Sequence, residues 1–171
     1  MKYISKLKGG DLRSIGQANE IVALVFTEKD FDELFTGLYH QDRKVAMRTA
    51  DAIEKITLDE RVSFLQKHKT DLLELCLTAK EKEIKWHLAL LISRLNLTNE
   101  ELVSAWDLLT NWASDKNESK IVRVNSIQGL FNLSKQNFKL SHDFDLTLAK
   151  IKRENIPSLN ARIKKLRDKS R

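Results

Sequence analysis

The chain has 171 residues, 42% apolar and 32% charged, with one proline, five glycines and one cysteine. That suffices for one domain with a substantial core, supplies too little turn chemistry for a strand-rich fold, and excludes a disulfide framework within the chain. The net charge of +6 is uneven, at +2 over residues 1–27, −3 over 28–146 and +7 over 147–171, so the basic excess belongs to the C-terminal end.

In chain order, Met1 to Gly10 carries lysines with no apolar stretch behind them, which does not fit a secretory leader. Residues 1–10 are expected to be a mobile arm or a poorly packed first turn, ahead of a single helical domain over 11–171. Helices are predicted near 12–26, 28–39, 43–56, 58–67, 70–80, 82–95, 99–114, 119–134, 142–153 and 157–169, with a frayed tail from Asp168. Thr27-x-x-Asp30, Thr57-x-x-Glu60 and Thr98-x-x-Glu101 read as capping boxes or near relatives, and Asp42 and Ser141 as N-caps. Pro157 falls in a first turn, where its missing N–H costs nothing. Cys76, inside the run Leu72, Leu73, Leu75, Cys76, Leu77, reads as a small buried hydrophobe. The longest apolar run, Ile21 to Phe26, is too short for a membrane span. A cytoplasmic location is expected, which makes the Asn-x-Ser/Thr triplets at Asn96, Asn117 and Asn132 chance matches.

The strongest signal is self-similarity. Four gap-free segments begin at Val45, Ile84, Val122 and Leu159, and eight positions further on the first three are apolar again at Ile53, Ile92 and Leu130. Successive starts lie 39, 38 and 37 residues apart. That is just under the period of roughly 40 to 47 for HEAT and armadillo repeats. The pattern Asp42-x-x-Val45-x-x-Arg48-x-Ala50-x-x-Ile53 resembles the second helix of a HEAT repeat. Arg48-Thr49-Ala50-Asp51-Ala52 followed by Lys85-Trp86-His87-Leu88-Ala89 is also similar to a group of small, uncharacterised bacterial HEAT-like proteins. The resemblance implies an all-α fold, a right-handed α-α superhelix of about four to five helical hairpins. One hairpin cannot cover its own apolar face, and stacking neighbours buries a continuous core.

In such a stack the second helices line the concave side. On the best repeat Lys44, Arg48, Asp51 and Lys55 form one polar face. Through the alignment it becomes Glu83, His87, Leu90 and Arg94, then Ile121, Asn125, Gln128 and Asn132, then Ser158, Arg162, Lys165 and Lys169. The residues expected to meet a partner on this ridge are Arg48, Asp51, Lys55, Trp86, His87, Arg94, Asn125 and Arg162. The competing reading is a solvated helix face laced with i,i+4 pairs. Trp86 shares a column with Met47, Val124 and Ala161, which makes it a repeat-packing residue or an aromatic anchor; Trp106 and Trp112 read as core or inter-repeat contacts.

The function these features imply is a non-enzymatic protein-binding scaffold or adaptor with another protein as partner, no membrane, and an open oligomeric state. The alternative is nucleic-acid or phosphate binding through a basic C-terminal patch, Arg153, Lys164, Lys165, Arg167 and Lys169. A DNA alkylation-repair type glycosylase, another class built on HEAT-like repeats, ranks last. Its nearest residues, Trp112 and Asp115, close an outer helix, and the body of the chain is acidic. His40, His68, His87 and His142 are too scattered for zinc, and no phosphate loop, nucleophile elbow or Cys-x-x-Cys is present. No catalytic, cofactor or metal residue is expected.

Overall fold

Thr27, Asp42 and Thr98 start helices as their sequence contexts predict. Thr98 makes a complete capping box: its hydroxyl accepts from the Glu101 N–H at 3.3 Å, and the Glu101 carboxylate accepts from the Thr98 N–H at 2.7 Å. Asp42 accepts from the Lys44 N–H at 2.9 Å, and Thr27 from the Asp30 N–H at 3.1 Å. Two predicted caps are corrected. Thr57 ends a helix, its hydroxyl donating back to the Ile53 carbonyl at 2.8 Å, and Asp59 makes the next start. Ser141 has no capping bond, because the chain already turns at Asn137, which accepts from the Lys139 N–H.

The computed structural model describes residues 2–9 and 17–169. The predicted helix start at 12–16 and the end of the predicted tail, 170–171, lie outside the described residues. The helices are α1 Ile4–Leu7, α2 Ala18–Val22, α3 Glu28–Phe35, α4 Arg43–Ile56, α5 Lys69–Thr78, α6 Lys82–Ile92, α7 Asn99–Ser114, α8 Lys120–Gln136, α9 Ser141–Lys152 and α10 Pro157–Lys169. Three 3₁₀ segments, Thr36–Tyr39, Glu60–His68 and Phe138–Leu140, join them, and no strand occurs among the described residues. By internal contacts the chain forms two units, Met1–Thr70 and Asp71–Arg171.

In the first unit α4 is the hub, packing against α1, α2, α3 and the Thr36–Tyr39 turn. Residues Val45 to Ala50 are all buried, so α4 is covered on more than one face. A Cβ at Gly37 would stand 2.3 Å from the Thr49 hydroxyl, so only glycine lets that turn lie so close to α4. Phe31, Phe35, Phe64 and His68 pack together, His68 stacking on Phe35 at 3.9 Å and meeting Asp32 at 2.7 Å. The expected arm is the clearest correction: Tyr3 and Leu7 are fully buried, Ile4 nearly so, and the Tyr3 hydroxyl donates to Asp30 at 2.9 Å. Three scattered apolar residues make no run, yet at i, i+1 and i+4 they share one side of a single helical turn.

In the second unit α8 is the hub. It pairs with α7 as a hairpin, and it lies between α6 and α10. Gly129 makes the α6 contact: a Cβ there would stand 2.6 Å from the Ala89 carbonyl oxygen. The outer helices α7 and α9 also touch, and the Trp106 indole N–H donates to Asp143 at 2.6 Å. The columns behind the repeat are core. Val45, Val122 and Leu159 are fully buried, as are Ile53, Ile92 and Leu130, while Ile84 is half-buried. Trp112 and Cys76 are buried, and burial pushes the Cys76 thiol pKa well up, which leaves it inert.

Candidate functional site

The residues predicted to form the ridge have different surroundings in the two units. On α4 it is closed by the protein's own N-terminal residues. Arg48, 1% exposed, donates from Nη1 to the Leu7 carbonyl at 2.6 Å and the Gly9 carbonyl at 2.5 Å. The expectation that Arg48 faces a partner is therefore overturned, because its column is where residues 2–9 cross the helix. Gly9 has φ +82°, a backbone region glycine enters without strain. Lys55 donates to Asp51 at 2.7 Å and to Asn19 at 2.9 Å, so both predicted residues are half-buried and tied within the unit.

In the second unit the same face is a hydrogen-bonded row across three helices. Arg162 on α10 donates to the Gln128 amide oxygen at 2.6 Å. Gln128 on α8 donates to Asn132 at 3.0 Å, and Asn132 donates to the Ser93 hydroxyl at the end of α6, again at 3.0 Å. Gln136 donates to the Ser93 carbonyl at 2.9 Å. The row is legible as columns: the alignment places Gln128 and Asn132 on the ridge beside Arg162. Asn125 and Arg94 are half-buried on this face, Asn125 donating to the Ile121 carbonyl at 3.0 Å, and Ile121 is exposed.

His87 departs from expectation, being 5% exposed with Trp86 edge-on at 4.8 Å. Trp86 is half-buried, and its indole N–H is buried without an acceptor among the described residues.

The basic patch is dispersed. Arg153, Lys164, Lys165 and Arg167 are exposed, while the Lys169 side chain lies outside the described residues. Lys164 and Arg167 line a cleft of about 360 Å³ with Lys152, Asn160 and the acidic Asp168. Arg153 lines another of about 420 Å³ with Lys116, Lys150 and Glu154, and the two share no residue. Among the described residues no ion pair engages Arg153, Lys164, Lys165 or Arg167.

Sequence reasoning missed the charged rivets behind the ridge. Arg123, 1% exposed, donates to the Ala113 carbonyl at 2.8 Å and grips Glu154 with both oxygens at 2.8 and 2.9 Å. One repeat earlier, in the same aligned column, Lys85 meets Glu118 at 2.5 Å and lies over the Trp112 ring at 5.5 Å. Each cation sits at an inner-helix start, and each carboxylate in the loop that begins the next inner helix. The usable signal was the Lys85/Arg123 column read together with a glutamate in each following loop.

Among the described residues no helix is long and apolar enough to cross a membrane, and no group of His, Cys, Asp or Glu gathers to hold a metal ion. The Trp112 and Asp115 pair does not assemble a base pocket. Trp112 is buried, and Asp115 caps a helix end and accepts from the Asn117 N–H at 2.9 Å.

Comparisons with curated proteins and with solved structures return no match. A family model described as a HEAT repeat domain matches residues 10–169. With helix pairs, buried repeat columns and a match over nearly its whole length, the chain belongs to the HEAT repeat domain family.

Proposed function

We propose that the protein is a non-enzymatic protein-interaction module whose working surface is the inner ridge of the second unit, on α6, α8 and α10. The observation that supports this is the row Arg162–Gln128–Asn132–Ser93. It fixes amide and guanidinium groups across three successive helices, and such preorganised polar groups bind without a large ordering cost. Family membership points the same way, since HEAT repeats form scaffolds that typically mediate protein contacts. The test is a photo-crosslinking amino acid at Asn125 on the ridge, or at Ser104 on the exposed face of α7, in the cell of origin. Adducts to a discrete protein from Asn125 and none from Ser104 are expected. Equal adducts from both, or adducts from Ser104 alone, would remove the ridge as the binding surface.

A second reading, nucleic-acid or phosphate binding, is favoured by one observation. Lys152, Lys164 and Arg167 line a single cleft with one carboxylate, Asp168, and among the described residues no carboxylate is in ion-pair range of Lys164 or Arg167. DNA binding whose logarithm falls steeply with the logarithm of salt, with the slope reduced in a Lys164→Glu/Arg167→Glu variant, would establish it. Binding unchanged by that variant would end it.

A further inference from the structure

Among the described residues five arginines are buried or half-buried, Arg48, Arg61, Arg94, Arg123 and Arg162, and three of them meet main-chain carbonyls or a carboxylate. Arg48 holds two main-chain carbonyls, Arg61 lies between Asp59 and the Val22 and Val25 carbonyls, and Arg123 grips Glu154. Arg162 differs from these three. It is half-buried on the ridge, one Nη1 donates to a neutral amide, and among the described residues its remaining N–H groups meet no acceptor and no carboxylate lies in ion-pair range. Burial alone lowers its pKa, with no opposing charge to offset the loss of water. A guanidinium stripped of part of its hydration, with its planar fork open, is built for a carboxylate, which it binds through two parallel N–H···O bonds.

The molecule also shows what this position does when occupied. Arg48 and Arg162 stand in the same aligned column, and at Arg48 a segment of chain crosses the helix and places oxygen atoms on the guanidinium. In the first unit those oxygens are neutral carbonyls and belong to the protein itself. Among the described residues Arg162 holds one oxygen, that of Gln128, which the row behind it keeps in place through Asn132.

We propose that Arg162 is the anchor point for a carboxylate presented by a partner polypeptide that crosses α8 and α10 as residues 2–9 cross α4. This rests on the ridge reading above and adds the chemistry of the partner: an acidic side chain or a free C-terminal carboxylate. Lys165, exposed and three residues further along α10, adds positive charge to the same approach.

The test pans a random peptide display library against the full chain and against Arg162→Gln and Arg162→Lys variants, each checked for native helicity. Peptides enriched on the unaltered chain should carry Asp or Glu, or a free C-terminus, at a fixed register. Synthetic copies should bind about tenfold to a hundredfold more weakly to Arg162→Gln, with part of the affinity restored in Arg162→Lys. Matched peptides with Gln for Glu, or with an amidated C-terminus, tell which carboxylate is used. No enrichment, enrichment without a carboxylate register, or equal binding to Arg162→Gln overturns the proposal. If those acid-free peptides still lose binding on Gln128→Ala or Asn125→Ala, the ridge reading survives while the carboxylate assignment falls.

Discussion

The first unit and the second present the same repeat face in opposite conditions. On α4 the polar column is sealed by the chain's own beginning, with Arg48 at 1% exposure and its donors spent on Leu7 and Gly9. On α8 and α10 the column is half-open, with Arg162 holding a single neutral acceptor among the described residues. In the first unit, then, the repeat face on α4 receives a segment of the chain itself, residues 2–9. That contact belongs to the fold of the first unit, whereas the function proposed above assigns the corresponding face of the second unit to a partner. The contrast also separates Arg48 and Arg123, tied to carbonyls or a carboxylate, from Arg162, which holds a neutral amide.

The largest expected effect tests that separation. Arg123→Met takes the two-oxygen grip away from the Glu154 carboxylate, 16% exposed at its side chain, and it orphans the Ala113 carbonyl. A loss of about 3–5 kcal/mol in urea unfolding is expected. A loss below about 1 kcal/mol would mean that the rivet is not what orders the loop between α9 and α10.

Arg48→Met comes next, at about 2–4 kcal/mol, because two part-buried carbonyls lose a charged donor. Here location matters more than size. Amide hydrogen exchange should rise first in residues 2–9 and along α2 and α4. A rise spread evenly over both units would break the comparison, since it would show that Arg48 supports something beyond its own unit.

Arg162→Met should cost little, within about 1 kcal/mol of zero, and a small gain in stability is allowed by the physics. The guanidinium gives up water without a compensating charge, so its removal relieves as much as it loses. A cost as large as that of Arg48→Met would assign Arg162 to the fold and take the second unit's ridge out of contention as a free surface.

The sequence made the repeat readable because its signal is carried by large apolar residues in fixed columns. Val45, Val122 and Leu159 must be buried wherever the helix pair is stacked, and they are. Thr98 and Glu101 were readable for a similar reason, since capping needs only local geometry. Arg48 was misread because the same helical spacing that marks a polar face cannot say whether another segment covers it. The cover, Tyr3, Ile4 and Leu7, lies some forty residues away and is too short to register as an amphipathic helix of its own. The Arg123–Glu154 link was invisible for the complementary reason: a buried cation looks like a surface cation until its partner, a loop residue in the next repeat, is placed beside it.

The smallest effect sharpens the division into units through acid. Asp30, Asp32 and Asp59 all lie in the first unit, and all three have carboxyl pKa values below the usual range. Asp30 is lowered chiefly by the Thr27 hydroxyl, Asp32 by Lys67, and Asp59, to about 2, by Arg61. A depressed folded-state pKa contributes stability above the unfolded value of about 3.9, and that contribution is lost as pH falls toward the folded value. Between about pH 4 and about pH 2 the first unit should therefore loosen before the second. The chain reports the two separately, because its tyrosines, Tyr3 and Tyr39, are in the first unit and its tryptophans, Trp86, Trp106 and Trp112, are in the second. The tyrosine near-ultraviolet signal should move at higher pH than the tryptophan fluorescence, and Asp59→Asn should narrow the gap. Coincident transitions would show that the two units melt as one, and that the sealed and the open ridge are parts of a single cooperative body.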